Sequence, residues 1–207
     1  MNTLNWSSDG EARRQLVDLV ERAAEPGVVV IRFDGGAGSG ELSWADLEPW
    51  RRSRAVTVAA VAGDLQPPAL DVALLCDLVF VQAGASISFG RIDQPPTAGM
   101  ALALARAGRV ALARGLLEGG RISAEEAVRI GLAHETVASA DQLPLPDPSS
   151  VAAMTAARDL MRSGATGEPG RALELATFRL LFASGDPEEG ARAFLDRRPP
   201  TFPTRDD

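Results

Sequence analysis

The sequence contains no lysine and no tyrosine, and it has one cysteine and one histidine among 207 residues. All 21 basic residues are therefore arginine, which excludes a lysine Schiff base and a P-loop lysine. One cysteine cannot form an intrachain disulfide, and one cysteine with one histidine is too few for a Cys/His zinc site. We therefore expect no metal centre.

The chain also lacks a net positive charge and long apolar runs. The chain has 28 acidic residues against 21 basic ones, a net charge of −7, which argues against nucleic acid and anionic membranes as partners. No apolar run approaches the ~20 residues of a membrane-spanning helix, and the first residues do not resemble a signal peptide. We expect a soluble, cytoplasmic protein.

The order of secondary structure predicts an α/β core followed by helices. Apolar, β-branched runs at 28–33 and 55–62 are typical of strands buried in a parallel sheet. Further strands are expected at 77–82 and 85–89, and helices at 8–24, 43–50, 68–75, 100–107, 109–117, 123–130, 151–162, 171–182 and 187–195. Three prolines between residues 142 and 150 mark a linker. The pattern predicts a core over residues 1–140 and a helical C-terminal region over 141–207.

Local motifs place helix starts and exclude some chemistry. Ser8-x-x-Glu11 and Ser123-x-x-Glu126 are capping-box patterns. The glycine-rich stretch 35–40 lacks the spacing of a dinucleotide fingerprint, so a strand-to-helix turn is the simpler interpretation. No Gly-x-Ser-x-Gly elbow supports a hydrolase that uses His134, and Cys76 lies in an apolar run typical of a buried side chain.

Three motifs in order carry a family resemblance. The stretch from Ala59 to Asp77 contains A-A-V-A-G and later A-L-D-V-A-L-L-C-D, residues 121–132 read R-I-S-A-E-E-A-V-R-I-G-L, and residues 189–199 read E-G-A-R-A-F-L-D-R-R-P. With these motifs the chain resembles the crotonase superfamily, the enoyl-CoA hydratases and isomerases, over most of its length. The resemblance implies a crotonase-like ββα spiral core with a helical C-terminal region that contributes to oligomerisation and covers the pocket.

The resemblance also implies a mechanism and its residues. Two backbone N–H groups hold the carbonyl oxygen of an acyl-CoA thioester and stabilise an enolate, while carboxylates move protons. The two family glutamates fall on Asp71 and Asp93, each shorter by one methylene, roughly 1.5 Å. Ser39 matches the first amide donor. The second donor falls on Pro68, which has no N–H, unless Ala69 takes that role.

Two functions follow from these residues. The first is an acyl-CoA hydratase or isomerase that uses Asp71 and Asp93, of the kind met in fatty acid metabolism. The alternative is a catalytically impaired member of the fold that serves as an acyl-CoA-binding or accessory subunit of a larger complex. Either way the resemblance implies no cofactor beyond the CoA thioester itself. It also implies a homo-oligomer, trimer or hexamer, or a hetero-oligomer with another member of the family.

Overall fold

The computed structural model describes residues 2–89, 120–145, 150–164 and 167–202. It divides the chain into two compact units, Met1–Pro144 and Leu145–Asp207. The sequence places this boundary four residues earlier, after residue 140. The helices predicted at 100–107 and 109–117 lie outside the described residues.

The described strands of the first unit are β1 (Asn2–Trp6), β2 (Val28–Phe33), β3 (Val56–Val61), β4 (Leu78–Gln82), β5 (Ser86–Ser88), β6 (Arg121–Ser123) and β7 (Glu135–Val137). Five of them form a parallel sheet in the order β1-β2-β3-β4-β7. A separate antiparallel pair joins β5 to β6.

Four helices of the first unit are described. They are α1 (Ala12–Arg22), α2 (Trp44–Arg51), α3 (Ala69–Leu74) and α4 (Ala124–Arg129). The buried apolar residues of α1, α2 and α3 form a single core with those of β2 and β3. All six residues of β3 are buried, so the turn that follows this strand starts from a fixed position.

The helix starts correct one prediction and support another. The capping box from Ser8 is wrong, because α1 begins at Ala12 and the carboxylate of Glu11 accepts from the N–H groups of Arg13 and Arg14. A carboxylate at the N-cap satisfies two free amides at once. At α4 the Ser123 side chain accepts from the Glu126 N–H, as the pattern predicts.

The short strands were not all predicted from the sequence. β1 has the sequence N-T-L-N-W and is too polar and too short to show a clear alternation, but it pairs with β2 along its whole length. Strands β6 and β7 have three residues each, fewer than a periodicity argument needs. These strands are defined by their neighbours in the sheet rather than by local pattern.

The second unit is helical, as expected. Its helices are α5 (Val151–Ser163), α6 (Gly167–Phe182) and α7 (Asp186–Asp196). Helix α6 buries none of its residues. None of the helices in the described part of the chain is long and apolar enough to cross a membrane.

Candidate functional site

The candidate site lies at the carboxyl ends of β2 and β3, where ligands bind in many parallel α/β sheets. The loop after β2 and the turn after β3 run side by side, with Gly36 bridging to Leu65. The Gly36 N–H donates to the Asp64 carbonyl at 2.6 Å. Gly63 has to be glycine here, because a Cβ would lie 2.2 Å from the carbonyl oxygen of Asp34.

Asp71 lies in the first turn of α3, directly after this turn. Asp71 is 0% exposed, and its backbone N–H donates to the Pro68 carbonyl at 3.1 Å. A carboxylate in the first turn of a helix interacts favourably with the helix dipole. Asp93, its predicted partner, lies outside the described residues, so the roles of both carboxylates stay predictions.

The second predicted amide position has no free N–H. Pro68 is buried and is the N-cap residue of α3, and its ring nitrogen carries no proton. Ala69 was the expected substitute, but its N–H donates to the Ala37 carbonyl at 3.1 Å. The Ala37 oxygen also accepts from the indole N–H of Trp6 at 3.3 Å, which fixes the loop that Ala69 contacts.

The first predicted amide position is also engaged. The Ser39 N–H donates to the Gly10 carbonyl at 2.9 Å, and the Ser39 carbonyl accepts from the Ala12 N–H at 2.8 Å. The Ser39 hydroxyl donates to the same Gly10 oxygen at 3.3 Å. The residue therefore binds the segment before α1, so neither Ser39 nor Ala69 offers a free amide in this structure.

A polar network that sequence reasoning missed ties β5 and β6 to the turn after β3. The Ser86 hydroxyl donates to the Asp64 carboxylate at 2.6 Å, and Arg121 contacts both Asp64 and Ser86. The Ser86 hydrogen bond, followed by the charge of Arg121, lowers the pKa of Asp64. The three residues are far apart in sequence, so no spacing signal could have found the network.

The side chains of the single cysteine and the single histidine both hydrogen-bond to the backbone. Cys76 is buried, and its thiol donates to the Val72 carbonyl at 3.5 Å. His134 is exposed, and its Nδ1 accepts from the Val79 N–H at 2.9 Å. No cluster of three or more potential metal ligands occurs among the described residues.

The C-terminal motif contains hydrogen bonds between α7 and the residues that follow it. The Glu189 carboxylate accepts from the Arg198 guanidinium at 2.7 and 3.0 Å and from the Thr201 N–H at 2.7 Å. The Arg198 hydrogen bond, followed by that of Thr201, lowers the pKa of Glu189 to about 2. This motif therefore stabilises the local conformation of the chain after α7 within the second unit.

A family model and a relative from Escherichia coli match most of this chain. The model of the enoyl-CoA hydratase/isomerase family matches residues 41–205. The chain is 30% identical over 225 residues to the 2,3-dehydroadipyl-CoA hydratase of Escherichia coli K12, covering 92% of this chain and 88% of that protein.

Solved structures agree with the predicted fold. A probable enoyl-CoA hydratase/isomerase from Mycobacterium abscessus has a TM-score of 0.81 at 22% identity, covering 97% of this chain and 91% of its own. Subunit I of an enoyl-CoA hydratase from Geobacillus kaustophilus has a TM-score of 0.80 at 21% identity, covering 98% and 94%. These comparisons confirm the predicted crotonase-like α/β fold.

Proposed function

Because the chain belongs to the enoyl-CoA hydratase/isomerase family, we propose that it binds an acyl-CoA thioester without supplying the two backbone donors that stabilise an enolate. It then serves as an acyl-CoA-binding or accessory protein. The observation that carries this proposal is that no backbone N–H is free at the positions that match the family's two oxyanion donors. Pro68 has no N–H, and the N–H groups of Ser39 and Ala69 are bonded to Gly10 and Ala37.

The energetics favour binding over catalysis. Removing one oxyanion donor costs about 100- to 1000-fold in rate, because the donor acts mainly on charge that develops in the transition state. A ground-state carbonyl carries little of that charge, so its binding depends less on these amides. The CoA moiety is recognised away from the carbonyl, and arginine suits its phosphates because the guanidinium is planar and always charged.

Hydratase or isomerase activity is the second candidate, and the carboxylate of Asp71 favours it. Asp71 lies in the first turn of α3, after the turn that carries Pro68. One base is sufficient to shuttle a proton in an isomerisation, whereas hydration needs two carboxylates that converge on one water. The E. coli relative is named a hydratase of a CoA thioester, which supports the same substrate class for both candidates.

A homo-oligomer, trimer or hexamer, is part of the proposal, with a hetero-oligomer containing another family member as the alternative. Large apolar side chains are exposed on the unit 145–207: Met161, Leu173, Leu175, Phe178, Leu180, Phe182, Phe194 and Leu195. Each phenylalanine alone buries about 150–250 Å² when covered, and a patch above a few hundred Å² marks an interaction surface. Light scattering at micromolar protein should give a multiple of the 21.7 kDa chain mass, and a monomer would refute this.

The experiment combines binding with turnover. We expect calorimetry to detect butyryl-CoA binding, and we expect crotonyl-CoA and 3-enoyl-CoA to be converted no faster by the wild type than by Asp71→Asn. Conversion that depends on Asp71 would instead establish the second candidate. Absence of binding to any acyl-CoA would overturn both candidates.

A further inference from the structure

From Leu65 to Asp71, at the end of the turn and the start of α3, every backbone N–H group is either absent or already bonded. Pro67 and Pro68 have none. The other five, from Leu65 to Asp71, donate to carbonyl oxygens: Leu65 to Ser86 at 2.8 Å, Gln66 to Gly36 at 3.2 Å, Ala69 to Ala37 at 3.1 Å, Leu70 to Gln66 at 2.9 Å and Asp71 to Pro68 at 3.1 Å. Between Leu65 and Asp71 the backbone thus has no donor left for a ligand.

Between Leu65 and Asp71, the side chain of Gln66 is the one remaining N–H donor. Its backbone is fixed at both groups, since the N–H donates to Gly36 and the carbonyl accepts from Leu70. The residue is exposed, and its primary amide has two N–H donors. This side chain makes no hydrogen bond to another described residue, so the fixed backbone of this segment holds an exposed primary amide two residues before Pro68.

We propose that the Gln66 carboxamide donates a hydrogen bond to the thioester carbonyl of the bound acyl-CoA, in place of the N–H that Pro68 lacks. This inference rests on the proposed function. Side-chain amides are competent oxyanion-hole donors. The Gln66 side chain has several rotatable bonds and loses rotamer freedom when it binds, so it suits recognition of a ground-state carbonyl better than stabilisation of an enolate.

The test compares a thioester with free CoA, because only the thioester has the carbonyl. We expect Gln66→Leu to weaken butyryl-CoA binding by about 2- to 10-fold, the equivalent of one neutral hydrogen bond, and to leave the affinity for free CoA unchanged. Gln66→Glu, which replaces the donors with a carboxylate, should weaken butyryl-CoA further. Gln142→Leu is the matched control, since Gln142 is also an exposed glutamine of the same unit.

A spectroscopic readout separates a direct contact from a structural effect. The infrared carbonyl band of butyryl-CoA labelled with carbon-13 at the carbonyl should shift to lower frequency on binding to the wild type, and less so with Gln66→Leu. Equal losses for butyryl-CoA and free CoA, or an unchanged affinity and band with Gln66→Leu, would overturn the role of Gln66 while the proposed function stands. Failure of the wild type to bind any acyl-CoA would overturn the proposed function and this inference with it.

Discussion

Replacing Trp50 with phenylalanine should destabilise the first unit through one identified hydrogen bond. Trp50 is 1% exposed, and its indole N–H donates to the Val72 carbonyl at 3.2 Å. Val72 is in the last four residues of α3, so its carbonyl has no partner within the helix. Among the described residues a second donor to this oxygen is the Cys76 thiol at 3.5 Å, which is a weak one.

The expected loss of stability is the sum of two contributions, the lost hydrogen bond and the lost side-chain volume. A buried acceptor that loses a neutral donor costs about 1–3 kcal/mol. The smaller phenylalanine ring also leaves unfilled space, which costs about 1 kcal/mol more, comparable to deleting a buried methylene. We therefore expect the free energy of unfolding to fall by about 2–4 kcal/mol.

Urea unfolding followed by far-ultraviolet circular dichroism measures this change without relying on tryptophan fluorescence. Trp44→Phe is the matched control, because Trp44 lies on the same helix and is 43% exposed. The control should stay within about 0.5 kcal/mol of the wild type. Equal effects of the two substitutions, or a loss under about 1 kcal/mol for Trp50→Phe, would refute this reasoning.

Four further predictions test the turn after β3 and the helix α7. Pro68→Gly returns a backbone N–H and should raise crotonyl-CoA turnover by about 100-fold or more, and an unchanged rate in a folded variant would contradict this. Gly63→Ala should lower the free energy of unfolding by about 1–3 kcal/mol because its Cβ collides with Asp34. Gly190 lies in α7, and a Cβ added there would meet no atom within 4 Å. Gly190→Ala should therefore raise the free energy of unfolding by about 0.5–1 kcal/mol. The pKa of Glu189 is lowered to about 2 from 4.5, so its stabilising contribution is complete above about pH 4.5 and lost as the pH falls toward 2. The stability difference between wild type and Glu189→Gln, measured against pH, should shrink over that window.

The sequence predicts the elements whose pattern is long and strongly apolar. β2 and β3 lie where the β-branched runs predict them, because strands buried on both faces need near-continuous apolar sequence. Ser43 is the N-cap of α2 and forms a complete capping box with Asp46, so local chemistry determines where this helix starts. β1 and β7 are recognised as strands only through their pairing with β2 and β4.

The candidate site is predictable only in part. The lack of an N–H at Pro68 is a property of the residue type and can be read directly. The engagement of Ser39 depends on Gly10 and Ala12, which reach it through tertiary contact rather than through any motif. The same is true of Arg121, which approaches Asp64 from a distant strand.

Exchange of the α-protons of butyryl-CoA in deuterium oxide tests the central claim most directly, because it reports enolate formation without requiring hydration or isomerisation. Proton NMR at a protein concentration that saturates the ligand would follow the loss of the α-proton signal. We predict that wild-type protein binds butyryl-CoA and exchanges its α-protons no faster than Asp71→Asn does. Rapid exchange that Asp71→Asn abolishes would contradict the account, since it would require a working donor site for the enolate oxygen.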